Sequence, residues 1–220
     1  STFDECVNFV VSQCDTAVKY LLAPDGASAG QLGRISTGAA LSLKSRMLLY
    51  AASDLYNGPG YDASTNNNLI GYGSYSKERW EAAAQAAAGV IGLGYYSLYK
   101  PSAITDAQND ATVTTNGVKN YSDLFYTLTG NKELILIRTS AQGNAVEKKN
   151  SPVGYTNGLG TTNPSQQMVD AYGMLNGKDI TDAGSGYSAT NPYLNRDPRF
   201  NASIFYNGKT WSGRSVETFT

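Results

Sequence analysis

Histidine does not occur in this sequence. Its absence removes the usual proton shuttle, the Ser-His and Cys-His nucleophile pairs and the commonest zinc ligand, and most hydrolase and metalloenzyme mechanisms go with them. Charge is also scarce, at 16% of residues against the usual quarter. The net charge is −1 and the pI is near 5.4, so the electrostatic footprint of a nucleic-acid binder is missing and no such partner is expected. The two cysteines, Cys6 and Cys14, are eight positions apart in one predicted helix. Helical rise separates them by about 12 Å, beyond disulfide reach, and both are expected to be buried thiols. No run approaches the ~20 apolar residues of a membrane span, and Ser1 leads straight into helical sequence with no leader pattern. The chain is therefore expected to be an internal portion of a longer protein. Nothing in it requires a cofactor or a metal.

Tyrosine takes the place of charge. Of the aromatics, 16 are Tyr, against 6 Phe and 2 Trp, accompanied by many Gly, Asn, Ser and Thr. Tyrosine offers apolar area with a polar tip, which suits a neutral, amphipathic binding surface.

Hydrophobic spacing organises the first hundred residues into helices. Phe3, Val7, Val10, Cys14, Ala17 and Leu21 alternate by four and three, one stripe of an amphipathic helix that Pro24 ends. A second helix, about Leu32 to Asn57, is rich in small residues and stops at "NGPG". A third runs from about Ser76 to Leu98, with Ser76 as N-cap and a core stripe of Trp80, Ala84, Ala87, Ile91 and Leu98. After Lys100 the character changes. "YSDLFYTL" reads as a short helix, "ELILIR" at 133–138 as a buried strand or extended segment, and residues 141–163 as a long Gly/Asn loop. "PSQQMVDAYGMLNG" reads as a short helix opened by Pro164 and Ser165, and "ASIFYNGKTWSG" as an alternating strand followed by a turn. The expected fold class is mainly α: a tetratricopeptide-like helical repeat over residues 1–100, with a loop-rich subdomain containing short strands over 101–220 packed on it.

Several separated segments fall into one order: "GRISTGAALSLKSRMLLYAASDLYNG", "RWEAAAQAAAGVIGLGYYSLY", "NKELILI", "NPSQQMVDAYGMLNGKDI" and "NPYLNRDPRFNASIFYNGKTWSG". In that order they resemble the SusD/RagB family of Bacteroidetes outer-membrane lipoproteins, across about Phe3 to Gly213. The resemblance implies a SusD-like α-superhelix at the cell surface, held to the outer membrane by a lipid on an N-terminal cysteine that this chain lacks. It implies a SusC-like TonB-dependent transporter as partner and a carbohydrate as ligand. The polysaccharide-utilisation role it suggests is capture of a glycan and its delivery to that transporter. A peptide-scavenging receptor of the same family and a non-binding scaffold over the transporter remain alternatives.

Within this frame, Arg196, Asp197 and Arg199 of "NPYLNRDPRF" read as a structural clamp. Pro198 fixes the turn, Asp197 caps backbone N–H groups, the arginines fork onto carboxylates or carbonyls, and Phe200 begins a strand. A charge-poor protein gathers three charges where they satisfy one another. Ligand contact is expected instead from the long loop and the following turn. Tyr155 is expected to stack on a sugar and Asn157 and Asn150 to bond its hydroxyls, while Trp211 either offers a second ring or covers the subdomain core, because sugar sites pair aromatic faces with amide donors and acceptors. Catalysis would need a carboxylate pair. The candidates, Asp106 with Asp110 and Asp179 with Asp182, lie in polar loops without the burial that acid–base work on a glycosidic bond demands, so no enzyme is expected. Trp80 reads as core packing. The loop tyrosines Tyr61, Tyr72 and Tyr75 could line a groove or face a partner.

Overall fold

The computed structural model describes residues 1–24, 33–60, 67–100, 111–138 and 143–218. Tyr61, the pair Asp106 and Asp110, and the first residues of the 141–163 loop lie outside them. The architecture is mainly helical, with helix pairs of the tetratricopeptide kind. The chain forms two compact units, Ser1–Leu98 with Leu128–Thr139, and Tyr99–Thr127 with Ser140–Thr220.

In the first unit, α1 (Phe3–Val18) opens with a capping box. Thr2 Oγ1 accepts from the Glu5 N–H at 3.2 Å, and the Thr2 N–H donates back to Glu5 Oε2 at 2.8 Å, satisfying two of the orphan donors of the first turn. Val7 and Cys14, two turns apart, are buried. Cys6 is exposed and both thiols are free, which corrects the expectation of two buried thiols: Cys6 sits one position off the stripe that faces inward. α2 (Thr37–Ala52) starts later than Leu32 because Ser36 is the N-cap, accepting from Ala39 N–H at 3.3 Å. Its Ala39, Ala40, Ala51 and Ala52 are buried, and α1 and α4 (Lys77–Ile91) both pack on α2. Small side chains let the neighbouring backbones come close.

After the short α3 (Asn67–Ile70), which touches α1, the join to α4 is made by a buried amide. Asn57 Oδ1 accepts from Ser76 N–H at 2.8 Å and from Arg79 Nη1 at 2.6 Å, while its Nδ2 donates to Ser76 O at 2.9 Å. Ser76 occupies the N-cap position but makes no side-chain cap, because its hydroxyl donates to the Glu78 carboxylate.

The expected core stripe of α4 is overturned. Ala83 is the buried residue, whereas Trp80 is 38% exposed and Ile91 79%. The helix also ends at Ile91, before Gly92 and a left-handed Gly94. Alanines occur on every face of this helix, so apolar periodicity does not single one out; a close helix contact selects the face with no bulky residue. Residues 133–138 form no strand and Leu136 is exposed, since no neighbouring strand is there to pair with among the described residues.

The second unit contains α5 (Ala111–Leu124), α6 (Ala145–Asn150), α7 (Gln166–Asp170), α8 (Pro198–Ser203) and a two-stranded antiparallel hairpin, β1 (Thr210–Trp211) with β2 (Arg214–Ser215). Helix α5 packs on α8, and the core is Met174, Phe200, Ile204 and Val216. Two expectations fail here. Phe200 belongs to α8, because Asp197 caps its Arg199 N–H at 2.8 Å and Pro198 stands at its first position, an N-cap followed by proline at N1. The 141–163 loop likewise contains α6, and the chain after it folds back: Leu159 N–H donates to Lys148 O at 2.8 Å and Thr161 N–H to Lys149 O at 3.0 Å.

Candidate functional site

The β1–β2 turn consists of Ser212 and Gly213, both left-handed, with φ of 48° and 81°. Such two-residue turns match the twist of a hairpin. Their consequence is a register that sets Trp211 directly opposite Arg214. The segment 151–160 is a compact turn in which Gly158 N–H donates to Tyr155 O at 2.8 Å and Asn157 is left-handed, with φ 59°. It delivers Tyr155 onto the hairpin. The Tyr155 hydroxyl lies 3.4–3.5 Å from the carbonyls of Trp211, Arg214 and Ser215, and its ring centroid is 4.7 Å from that of Trp211. Phe205 lies on Trp211 at 4.8 Å, which makes a row of three rings.

Cations flank this row. The Arg214 guanidinium sits 3.8 Å from the Tyr155 centroid and donates to Gly154 O. Lys209 Nζ stands 4.9 Å from the Phe205 centroid and donates to Ile204 O at 2.9 Å; burial pushes its ammonium pKa down. Tyr155, Trp211 and Phe205 are each half-buried, so ring area stays open to solvent at the edge of the turn.

Tyr155 and Trp211 therefore come together, while the other two expected ligand contacts, Asn157 and Asn150, are both exposed to solvent. Asn157 is exposed at the turn tip, where a left-handed backbone favours asparagine. Asn150 is exposed and its Nδ2 donates to Val146 O at 2.8 Å, within its own helix. Phe205, Lys209 and Arg214 were missed. "TWSGR" carried a signal for Arg214, since a Ser-Gly turn places the residues flanking it face to face.

The arginines of the Arg-Asp-Pro-Arg-Phe motif divide. Arg196 is 3% exposed. Its guanidinium donates to the carbonyls of Val169 (2.7 Å), Tyr172 (2.6 Å) and Pro192 (2.9 Å), and it lies 4.7 Å from the Phe200 ring centroid. Arg199 turns outward and forks onto the Asp197 carboxylate, with Nε at 3.0 Å from Oδ1. Around Phe200 gather Tyr172, Tyr193 and Tyr206, the last two stacked at 4.4 Å. Asp179 and Asp182 belong to one local turn, Asp182 Oδ2 accepting from Asp179 N–H at 3.0 Å. Among the described residues no cluster of three or more His, Cys, Asp or Glu could hold a metal, and no helix is long and apolar enough to cross a membrane. Trp80, Tyr72 and Tyr75 lie in the first unit. There Tyr72 receives the Arg79 guanidinium at 3.6 Å and the edge of Phe3, a packing role, while Tyr75 is exposed.

Comparison with known proteins fixes the class. Residues 105–219 match the model of the SusD family, over half of the chain, and the chain belongs to that family. Over 98% of its length it superposes on the solved structure of BT4246, with a TM-score of 0.70 at 20% identity, covering 44% of that chain. Over 94% it superposes on a SusD-like protein, BF3747, from Bacteroides fragilis NCTC 9343, with a TM-score of 0.59 at 23% identity, covering 35% of that chain. The fold is thus SusD-like, as the ordered segments implied, and the chain spans less than half the length of the solved structures it matches. No curated protein matches it.

Proposed function

We propose that this protein is a cell-surface nutrient receptor of the outer membrane. It binds an oligo- or polysaccharide, does no chemistry on it, and passes it to a SusC-like TonB-dependent transporter. The observation that carries the glycan reading is the half-buried Tyr155–Trp211–Phe205 row, displayed on a turn and a hairpin rather than sealed in the core. A pyranose has an apolar C–H face and a rim of hydroxyls, so it is recognised by open aromatic area bordered by polar groups. Asn157 at the turn tip and the Arg214 guanidinium provide that border. Trp211 meets the sugar; Tyr155, one face of which is covered by Arg214, both presents its remaining edge and holds Trp211 in place. Binding of several residues of one polymer raises a modest affinity per sugar. The Arg196–Asp197–Arg199 cluster takes no part in binding and holds the subdomain together. Membership of the SusD family supports the outer-membrane location and the transporter partner.

The test is affinity electrophoresis of the full chain in native gels cast with single polysaccharides. At least one glycan is expected to retard it, and Trp211→Ala and Tyr155→Ala are each expected to weaken that retention about tenfold, as for loss of one aromatic contact. Unchanged retention in both variants removes the site. Retention by peptide digests alone replaces the glycan with a peptide ligand, and release of reducing ends from the polymer would make the protein an enzyme.

A further inference from the structure

Charge is distributed against the average of this chain around the aromatic row. The segments that build it, 143–163 and 201–218, carry four cations, Lys148, Lys149, Lys209 and Arg214, against two anions, Glu147 and Glu217, in a protein whose net charge is −1. Lys148 and Lys149 close α6, and their carbonyls accept from Leu159 and Thr161, so the backbone of α6 is tied to the turn that carries Tyr155.

Arg214 is the sharpest member. It is exposed, forms no ion pair among the described residues, and uses one Nη2 hydrogen for Gly154 O. Stacking on Tyr155 at 3.8 Å holds the guanidinium plane in place, and with only one Nη2 hydrogen taken, one of its two donor edges, Nε with Nη2 or Nη1 with Nη2, stays open as a fork. Arg199 makes the contrast: its fork is already filled by Asp197. A stacked, unfilled guanidinium is preorganised for a planar or tetrahedral oxyanion, since a weakly hydrated, rigid donor pair loses little freedom on binding. Cross-strand neighbours on one face of a hairpin lie about 5 Å apart, close to the width of a pyranose ring. A sugar against Trp211 therefore places a ring substituent at Arg214.

Building on the glycan reading of this same site, we infer that its ligand is an acidic polysaccharide whose uronic carboxylate or sulfate is received by Arg214 while the sugar ring rests on Trp211. Lys148, Lys149 and Lys209 supply the positive field, and the Arg214 fork supplies the specific contact. Lys209 itself is committed to the Ile204 and Asn201 carbonyls.

The experiment compares matched polymers on the full chain by affinity electrophoresis and calorimetry: polygalacturonate with its fully methyl-esterified form, and chondroitin sulfate with its desulfated, carboxyl-reduced form. The acidic member of at least one pair is expected to bind about tenfold or more tightly than its neutral partner, the value of one charge-assisted contact. That advantage should shrink as salt rises, because exposed charges are screened. Arg214→Gln should abolish the preference and leave weak binding of the neutral polymer. The wild-type comparison of acidic with neutral ligand stands whether or not that variant keeps the turn ordered. If neutral and acidic forms of both pairs bind equally, the inference fails and the glycan reading survives. If Arg214→Gln keeps the preference, the assignment to Arg214 fails. If no polysaccharide of either kind binds, both fall together.

Discussion

Arg196 is a buried cation held by main-chain carbonyls at the end of α7 and in the 192–196 turn, with no carboxylate paired to it among the described residues. The carbonyls of a helix's last turn carry partial negative charge and lack helical donors, so this arrangement satisfies both sides. Removing the guanidinium leaves several acceptors buried and unpaired. Arg196→Met is expected to cost about 3 kcal/mol or more in urea unfolding. Arg199→Met removes a side chain that is 64% exposed and is expected to cost about 1 kcal/mol or less. Equal losses would mean that the two arginines are not divided in the way the geometry shows.

Asp197 adds a pH dependence. The Arg199 guanidinium, chiefly through its hydrogen bonds, holds the Asp197 carboxyl below the usual carboxylate range; burial opposes this, and the Arg199 N–H and charge assist. A carboxyl with a lowered folded pKa stabilises the protein above its unfolded value, near ~3.9, and loses that contribution as pH falls through the lowered value. Asp197→Asn keeps an N-cap acceptor and removes the charge. Its Tm deficit should be open at about pH 6 and narrow as pH falls below the unfolded carboxyl value of about 3.9; a constant deficit would show that capping alone matters.

Among the elements, the 151–160 turn decides where the candidate site lies. Gly158 is needed there for close approach: a Cβ at this position would stand 2.1 Å from the Pro152 carbonyl oxygen. That oxygen belongs to the backbone and cannot swing aside, so Gly158→Ala should open the turn and free Tyr155 from the hairpin. In a Trp80→Phe background, Trp211 emission should shift to the red with far-ultraviolet dichroism almost unchanged. An unshifted spectrum would mean that the turn tolerates a side chain. Such steric demands are invisible in "SPVGYTNGLG", which reads only as a loop. Helix caps act through neighbours in sequence and were legible in part: Ser165 before Gln166 was read, the Thr2–Glu5 capping box was not, and Ser76 holds the N-cap position without a side-chain cap because its hydroxyl goes to Glu78. Where the local signal conflicted with the periodic one, as at Ser36 and at Asp197-Pro198, the cap decided the boundary.

For the whole molecule, composition excluded more than it assigned. Lack of histidine, sparse charge and abundant tyrosine argued for recognition over catalysis, the order of five segments carried the resemblance to the family, and helix periodicity carried the mainly α character of the first hundred residues. These are properties of residues close in sequence, and the sequence by itself determines them. It also named Tyr155 and Trp211, each displayed on turn-rich sequence. What only the tertiary structure decided is their pairing across 56 positions, the exposure of Trp80 in place of Ala83, and the separate environments of Arg196 and Arg199. The physical reason is the same in each case. Which face of an alanine-rich helix is covered, and which cation finds carbonyls and which a carboxylate, depends on segments brought together only when the chain closes on itself; contacts between distant residues leave no periodic trace in a single sequence.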